Sequence, residues 1–400
     1  MPDAVRLAIV GAGGIAQLHI GGYEKLRTAG YDRFVITAVC DVSADSAHQT
    51  ADTIEEALGE RPRVFESVEE MVEAEEADAA DICLPHAYHH TAGIACLHGG
   101  MHVLIEKPVG ITIEATHRLL EARGDRDLII AGAEQVRRYI GPRTIEWAVN
   151  SQQVIGTPRF FTQEVFSKNH MDRSEYKWAW RSLKMLGGGG MLLDAGAHFS
   201  DMVQHVFGPA KTAICMMRTL DETIINLPDV EQQPVDVEDY WTATIIFDSG
   251  VIGHWAWSQH AAGRKLSTRM YYGTDGSLAD RQEWMHPFQH GADLILDGGC
   301  EVPYEELEAQ YLASLSEEEA HRLFPYGITD AFAIECWDFV EAITRGREPE
   351  FGTEEALQAK ALCFALYESA HLDGQPVAVE DVKTGKLSSY QDPINEYWGI

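Results

Sequence analysis

The chain has 400 residues, enough for roughly two domains of ~100–200 residues each and for a sizeable buried core. Its composition (45% hydrophobic, 24% charged, 9% aromatic) is that of a globular protein and excludes wholesale disorder and fibrous repeats. Lys and Arg number 31 against 63 Asp and Glu, a formal net charge of −32 that repels nucleic acid and anionic membranes.

Seven cysteines, an odd number with no C-x-x-C pair, fit a reducing compartment. The N-terminus reads directly as a strand, and no apolar run nears the ~18 residues of a membrane span. A cytoplasmic protein with neither a nucleic-acid nor a membrane partner is expected.

The first third alternates strand-like runs (5–10, 34–40, 81–84, 102–105 and 128–131) with helix-like ones (15–28, 43–58, 67–75, 88–98 and 112–123). Continuous apolar strands between amphipathic helices predict a parallel sheet covered on both faces. A helix at about 142–152 follows, then longer alternating runs at 158–166, 212–218, 240–247 and 251–258, the last two joined by Asp248-Ser249-Gly250, a hairpin signal. Two long helices are expected at about 330–344 and 354–372, and the acidic stretch 301–319 reads as a solvated insertion. The predicted organisation is a doubly wound α/β domain over 1–140 and an α+β domain over 141–400 built on a large, mostly antiparallel open sheet. Such a sheet exposes a broad apolar face, so a homodimer or homotetramer through it is expected.

The first strand runs into Gly11-Ala12-Gly13-Gly14-Ile15-Ala16, a G-x-G-x-x-A turn opening a helix. Gly11 permits the tight turn, Gly13 a close approach of backbone to a pyrophosphate, and the helix N-terminus offers unpaired N–H groups. The alternative is a tight βα turn with no ligand. The second strand ends at Asp41, whose carboxylate suits the ribose hydroxyls of NAD and repels the extra phosphate of NADP; capping the next helix is its other reading.

Lys107 follows a parallel strand, where open α/β sheets place ligands, and there it could relay a proton or polarise a substrate oxygen. An ordinary lysine paired with Glu106 is the alternative. Asp194 and His198 are four apart on what reads as a helix start, which puts both on one face. An imidazole with an ordinary pKa near ~6.5 suits removal of a hydroxyl proton; Asp194 as a cap and His198 as a core histidine is the competing view.

These segments, Leu84-Pro85-His86-Ala87-Tyr88-His89, Glu106-Lys107-Pro108 and Gly188 to Asp201 with its D-x-G-x-H-x-x-D pattern, together resemble the Gfo/Idh/MocA oxidoreductases. Gln135 to Tyr139 is similar to the family's Asn-x-x-Arg-Phe stretch, and Ala356 to Ser369 to its last helix. The resemblance implies a Rossmann NAD domain with Gly11, Gly13, Gly14, Ile15, Asp41, Pro85, His86, His89, Glu106 and Lys107 about the cofactor. His86 stands where the family usually has Asn. It also implies that His198 takes a proton from a secondary ring hydroxyl while hydride passes to NAD, with Lys107 and Asp194 holding that hydroxyl; which of Lys107 and His198 is the primary base stays open.

The implied substrate is a polyhydroxylated small molecule, a sugar, glycoside or cyclitol, met by Trp180, Arg181, Arg138, Tyr139 and His170 besides the relay residues. For the tryptophans at 178 and 180, core packing is the other reading; Trp255 and Trp257, which alternate along a strand and share one face, read as sheet or subunit packing. His86, His89 and His90 invite a zinc reading, which is not adopted because hydride transfer to nicotinamide needs no metal. Relatives of this fold also include glycosidases that oxidise transiently and keep NAD, which is a second reading; a hydride shuttle between two sugars and a non-catalytic sensor are others.

Overall fold

A six-stranded parallel sheet forms the frame of the first half in the computed structural model, which describes residues 4–168, 171–173, 175–227, 230–281 and 286–400. Its strands are β1 (Val5–Val10), β2 (Phe34–Cys40), β3 (Arg63–Phe65), β4 (Ala79–Ile82), β5 (His102–Glu106) and β6 (Ile130–Ala133), in the order β3-β2-β1-β4-β5-β6. Leu7, Ala8, Ile9, Val103, Leu104 and Ile105 are buried, as strands covered on both faces require. The order reverses between β1 and β4, so their carboxyl ends open the crevice where such sheets take ligands.

The intervening helices are α1 (Gly14–Thr28), α2 (Ala44–Leu58), α3 (Val68–Glu73), α4 (His86–His98) and α5 (Ile113–Arg123). Ser43, Ser67 and Thr112 cap α2, α3 and α5 with their hydroxyls. The three-residue β3 is too short to show alternation and was not expected from the sequence.

The chain divides into two compact units, Met1–Arg138 with Ser316–Ala356, and Tyr139–Leu315 with Leu357–Ile400. The first unit therefore takes in a late segment. Its helix Ala331–Arg345 is capped by Asp330 and lies so close to α1 that a Cβ on Gly22 would stand 3.0 Å from the Ala333 nitrogen.

The second unit is built on a nine-stranded sheet. Its strands are β7 (Pro158–Phe166), β8 (Ala210–Arg218), β11 (Tyr240–Phe247), β12 (Ile252–Ser258), β13 (Leu266–Gly273), β14 (Gly276–Asp280), β15 (Ala292–Leu296), β16 (Glu301–Val302) and β17 (Val377–Ala378); β9 (Ile224–Ile225) and β10 (Gln233–Pro234) form a separate ribbon. The order is β16-β15-β14-β13-β7-β12-β11-β8-β17, antiparallel except for the parallel pair β12 and β7. The expected hairpin joins β11 and β12, with Gly250 at φ +87°. On the covered face, Phe161 meets Phe199, Phe207, Phe247 and Tyr271 with ring centroids 5.6 to 6.0 Å apart.

The acidic stretch 301–319, read as a solvated insertion, is mostly exposed and is built of helices. Its main part is the helix Tyr304–Ser314, in which Tyr304, Leu307 and Tyr311 form a buried stripe at helical spacing while the acids face out. Ser316 and Glu319 then form a capping box on the next helix, Glu317–Leu323. Among the described residues no helix is long and apolar enough to cross a membrane.

Candidate active site

At the end of β1 the Gly11 backbone takes φ +97°, and a Cβ there would run into the Cys83 carbonyl. Only glycine fits this turn. Above Gly13 and Gly14, by contrast, a Cβ would meet nothing within 4 Å. The α1 N-terminus has no side-chain cap and no acid in its first turn, so no side chain of its own offsets the partial positive charge there. Asp41 closes the turn from the side, its carboxylate accepting the Ala12 N–H at 2.7 Å and the Ser43 N–H at 2.8 Å. An open, uncapped glycine turn flanked by a carboxylate fits a dinucleotide. Ile15 is partly buried against the core of this unit.

Lys107 is framed by two buried groups. The Glu106 carboxylate accepts the Lys107 N–H at 3.0 Å, and His89 spans the Pro108 carbonyl (2.8 Å) and the Leu84 carbonyl (2.6 Å). Burial, with His86 alongside at 5.7 Å between ring centroids, pushes the His89 pKa down to about 4, while both carbonyls pull the other way. The Lys107–Pro108 bond is cis, and Pro85 stands at the start of α4. Glu106 and His89, expected about the cofactor, thus each have one polar atom on the turn that carries Lys107, while the other atom of His89 meets the Leu84 carbonyl and that of Glu106 meets His19.

In the second unit, the glycine run 187–190 owes its composition to what lies against it. A Cβ on Gly189 would strike the Tyr367 hydroxyl, and one on Gly190 would come within 2.6 Å of the Glu238 carbonyl oxygen. Glu238 then caps the short helix Met191–Asp194, accepting the Gly190 N–H at 2.9 Å and the Leu192 N–H at 2.7 Å. Burial pushes Glu238 up to about 7 against those two bonds.

Asp194 ends that helix and accepts from Arg181 Nε at 2.9 Å; the Arg181 guanidinium lies 4.1 Å over the Trp180 ring. His198 is in the next helix, Gly196–Phe207, so Asp194 and His198 flank a break at Ala195 and do not share one helix start. Gly196 is demanded by Trp255, whose Cη2 would be 2.8 Å from a Cβ there. His198 is 3% exposed, with the His286 ring edge-on at 5.2 Å.

Trp180, Arg181 and Asp194 are therefore brought together. Arg138 is not part of that group. It is 1% exposed and pairs with Asp338 (3.1 Å), Glu335 (3.8 Å) and Glu350 (4.0 Å), a core ion-pair centre of the first unit. Tyr139 is half-buried at the start of the helix Ile140–Glu146, and His170 lies outside the described residues. Trp255 and Trp257 pack within the sheet against Trp241, as read from their alternation. Sequence reading missed Glu238, Tyr367 and His286. The pair Glu238-Asp239 just before an apolar strand was the only local sign of the first; His286 lies in a stretch with no recognisable pattern.

Comparison with known proteins gives the same picture. The family model for the oxidoreductase family with NAD-binding Rossmann fold matches residues 5–131, and that for the GFO/IDH/MocA C-terminal domain matches 148–279. Levoglucosan dehydrogenase of Pseudarthrobacter phenanthrenivorans is 23% identical over 315 residues, 75% of this chain and 80% of that enzyme. D-glucoside 3-dehydrogenase of Escherichia coli is 25% identical over 204 residues, 51% of this chain and 54% of that enzyme. Among solved structures, a levoglucosan dehydrogenase complex with NADH and L-sorbose superimposes with TM-score 0.74 at 21% identity, covering 94% of this chain and 99% of that one. The WlbA dehydrogenase of Bordetella pertussis, solved with NADH and UDP-GlcNAcA, gives 0.72 at 21% identity, over 94% and 98% of the two chains.

Proposed function

The chain belongs to the GFO/IDH/MocA oxidoreductase family, NAD-binding enzymes acting on CH–OH groups, and we propose that it interconverts a secondary ring hydroxyl and its ketone on a sugar, glycoside or cyclitol. The observation that carries the substrate class is the group Trp180, Arg181 and Asp194. It combines a flat indole for a ring C–H face with a guanidinium and a carboxylate for hydroxyls. Relatives named levoglucosan dehydrogenase, D-glucoside 3-dehydrogenase and inositol 2-dehydrogenase support the same class.

The Gly11–Ala16 turn, its helix N-terminus and Asp41 would hold NAD, which supplies the hydride acceptor when bound. In the proposed relay a ring nitrogen of His198 takes the hydroxyl proton, the Lys107 ammonium steadies the developing alkoxide, and the Asp194 carboxylate orients the same hydroxyl. Arg181 keeps Asp194 aimed, and Glu238 keeps the turn beneath it rigid. NAD is preferred over NADP on the ground of Asp41.

A panel of sugars, glycosides and inositols with NAD and NADP, followed by nicotinamide absorbance, tests this. NAD reduction is expected with at least one, and Lys107→Ala and His198→Ala should each lower kcat by ~100-fold or more while NADH still binds. Turnover surviving both substitutions would remove the relay. A second reading, an NAD-retaining glycosidase, is favoured by a relative named glycosyl hydrolase family 109 protein 1 from Akkermansia muciniphila, 27% identical over 123 residues, 24% of that protein. Aglycone release without net NADH would select it.

The outward face of the large sheet carries Phe160 (45% exposed) and Ile252 (50%), with Tyr272 stacked on Phe160 at 4.7 Å. A second copy of the chain covering that face is the proposed assembly, and light scattering should give a dimer or tetramer mass. The cysteines are all free, six of them buried, which supports a reducing compartment such as the cytoplasm.

A further inference from the structure

Behind Lys107 the first unit buries a cluster of ionisable side chains that the proposed relay does not use. His19, on the second turn of α1, has its Nδ1 3.0 Å from both oxygens of Asp81 and its Nε2 3.2 Å from Glu106 Oε1. Glu335 Oε1 is 3.4 Å from the same Nε2, and Tyr23 donates to Asp81 at 3.1 Å. The Cys83 thiol lies 3.5 Å from Asp81, and Arg138 lies 3.8 Å from Glu335. His19, Asp81 and Cys83 also bring ligand-type atoms within 4.8 Å of one another. Both ring nitrogens, however, face carboxylates at hydrogen-bond distance, so the arrangement is one of shared protons.

We propose that His19 is the positioning residue of Lys107, acting through the Glu106 carboxylate. One oxygen of Glu106 faces His19 and the other holds the Lys107 backbone N–H, so the ring and the lysine are joined by a single rigid carboxylate. His19 lies five residues along α1 from Gly14, so the helix that presents its N–H groups to the cofactor phosphates also sets where Lys107 stands. The charges are consistent with this. Asp81 carries His19 well above the ordinary histidine range against its burial, His19 holds Glu106 below the carboxylate range, and burial pushes Glu335 up to about 8, where it keeps its proton. The two nearest acids, Asp81 and Glu106, both favour the protonated ring in this buried place.

The proposal gives Lys107 a placement that its role in catalysis presupposes, so it is tested without turnover. The full chain with NADH bound is labelled with acetic anhydride, and Lys107 acetylation is read by peptide mass spectrometry against the exposed Lys386. His19→Asn keeps a donor where Nδ1 stands, toward Asp81, and loses the one to Glu106; His19→Gln keeps the donor toward Glu106. Loss of one charge-assisted hydrogen bond predicts an about fivefold or greater change in relative labelling for H19N and less than about twofold for H19Q. Glu106→Ala should match H19N, and the double variant should add nothing. Equal shifts in H19N and H19Q, or H19N and E106A both within about twofold with NADH still bound, would overturn the proposal, as would failure of both to fold. A Lys107→Ala protein that keeps turnover would overturn the catalytic reading and leave the labelling result standing.

Discussion

The Glu238 carboxylate receives the Gly190 N–H at 2.9 Å, across 48 residues of chain, and with its other oxygen takes the Leu192 N–H. One buried acid therefore ends the glycine run and begins the helix that Asp194 closes.

That acid makes stability depend on pH. Burial raises Glu238 to about 7 from an ordinary 4.5, so between those values the folded protein keeps a proton that the unfolded chain has released. Stability from this group is present at low pH, falls as pH rises through the window and is flat above it, a change on the order of 3 kcal/mol. Glu238→Gln has no proton to lose. Urea unfolding at about pH 5 and about pH 8 should show a larger drop in the wild type than in E238Q, in which the raised Glu335 still titrates; equal drops would place the proton elsewhere.

Gly189 should not tolerate a methyl group. A Cβ there strikes the Tyr367 hydroxyl and comes within 2.6 Å of its ring, and Tyr367 is fully buried and stacked on Tyr390 at 4.5 Å. Gly189→Ala is expected to cost about 1–3 kcal/mol, read as a lowered thermal midpoint, and to cut kcat through the displaced turn. A G189A protein of unchanged midpoint would mean that Tyr367 yields freely.

Arg181→Lys retains the charge but not the geometry. The guanidinium both donates to Asp194 and lies over Trp180, which an ammonium on a flexible stem does not reproduce. Steady-state kinetics should show kcat/KM lower by roughly 10–100-fold, the worth of one charge-assisted bond and its stacking. Because the Arg181 side chain is 30% exposed, the thermal midpoint should barely move.

Asp41→Ala removes the acceptor of the Ala12 and Ser43 N–H groups. NADH affinity by fluorescence titration should fall about tenfold, and NADPH affinity should fall less, because a fixed negative charge has gone from beside the glycine turn. Equal losses for the two nucleotides would deny Asp41 a part in choosing between them.

What the sequence made legible was local. The glycine turn, the triplet at Glu106 and the D-x-G-x-H segment each lie within about a dozen residues, and the strands read from their apolar runs. What it hid was nonlocal. Nothing near Gly190 points to Glu238 or Tyr367, because the contact is made by folding and the glycines only record that something large lies against them. His19 reads as one more residue of an amphipathic helix until Asp81 and Glu106, 62 and 87 residues away, are brought around it. Arg138 matched a pattern for a ligand contact, yet three carboxylates from the late segment surround it. In the acidic stretch the helical stripe of Tyr304, Leu307 and Tyr311 went unread because glutamates outnumber it.

The helix Ala331–Arg345 completes the core around α1, although some 300 residues of chain separate them. A ribosome adding ~5–20 residues per second delivers it on the order of tens of seconds after α1 has emerged. During that interval the nascent first half shows water the apolar groove meant for Phe339 and Val340. Newly made chains should thus engage holding chaperones early, and a gene fragment ending at Arg138 should yield insoluble protein.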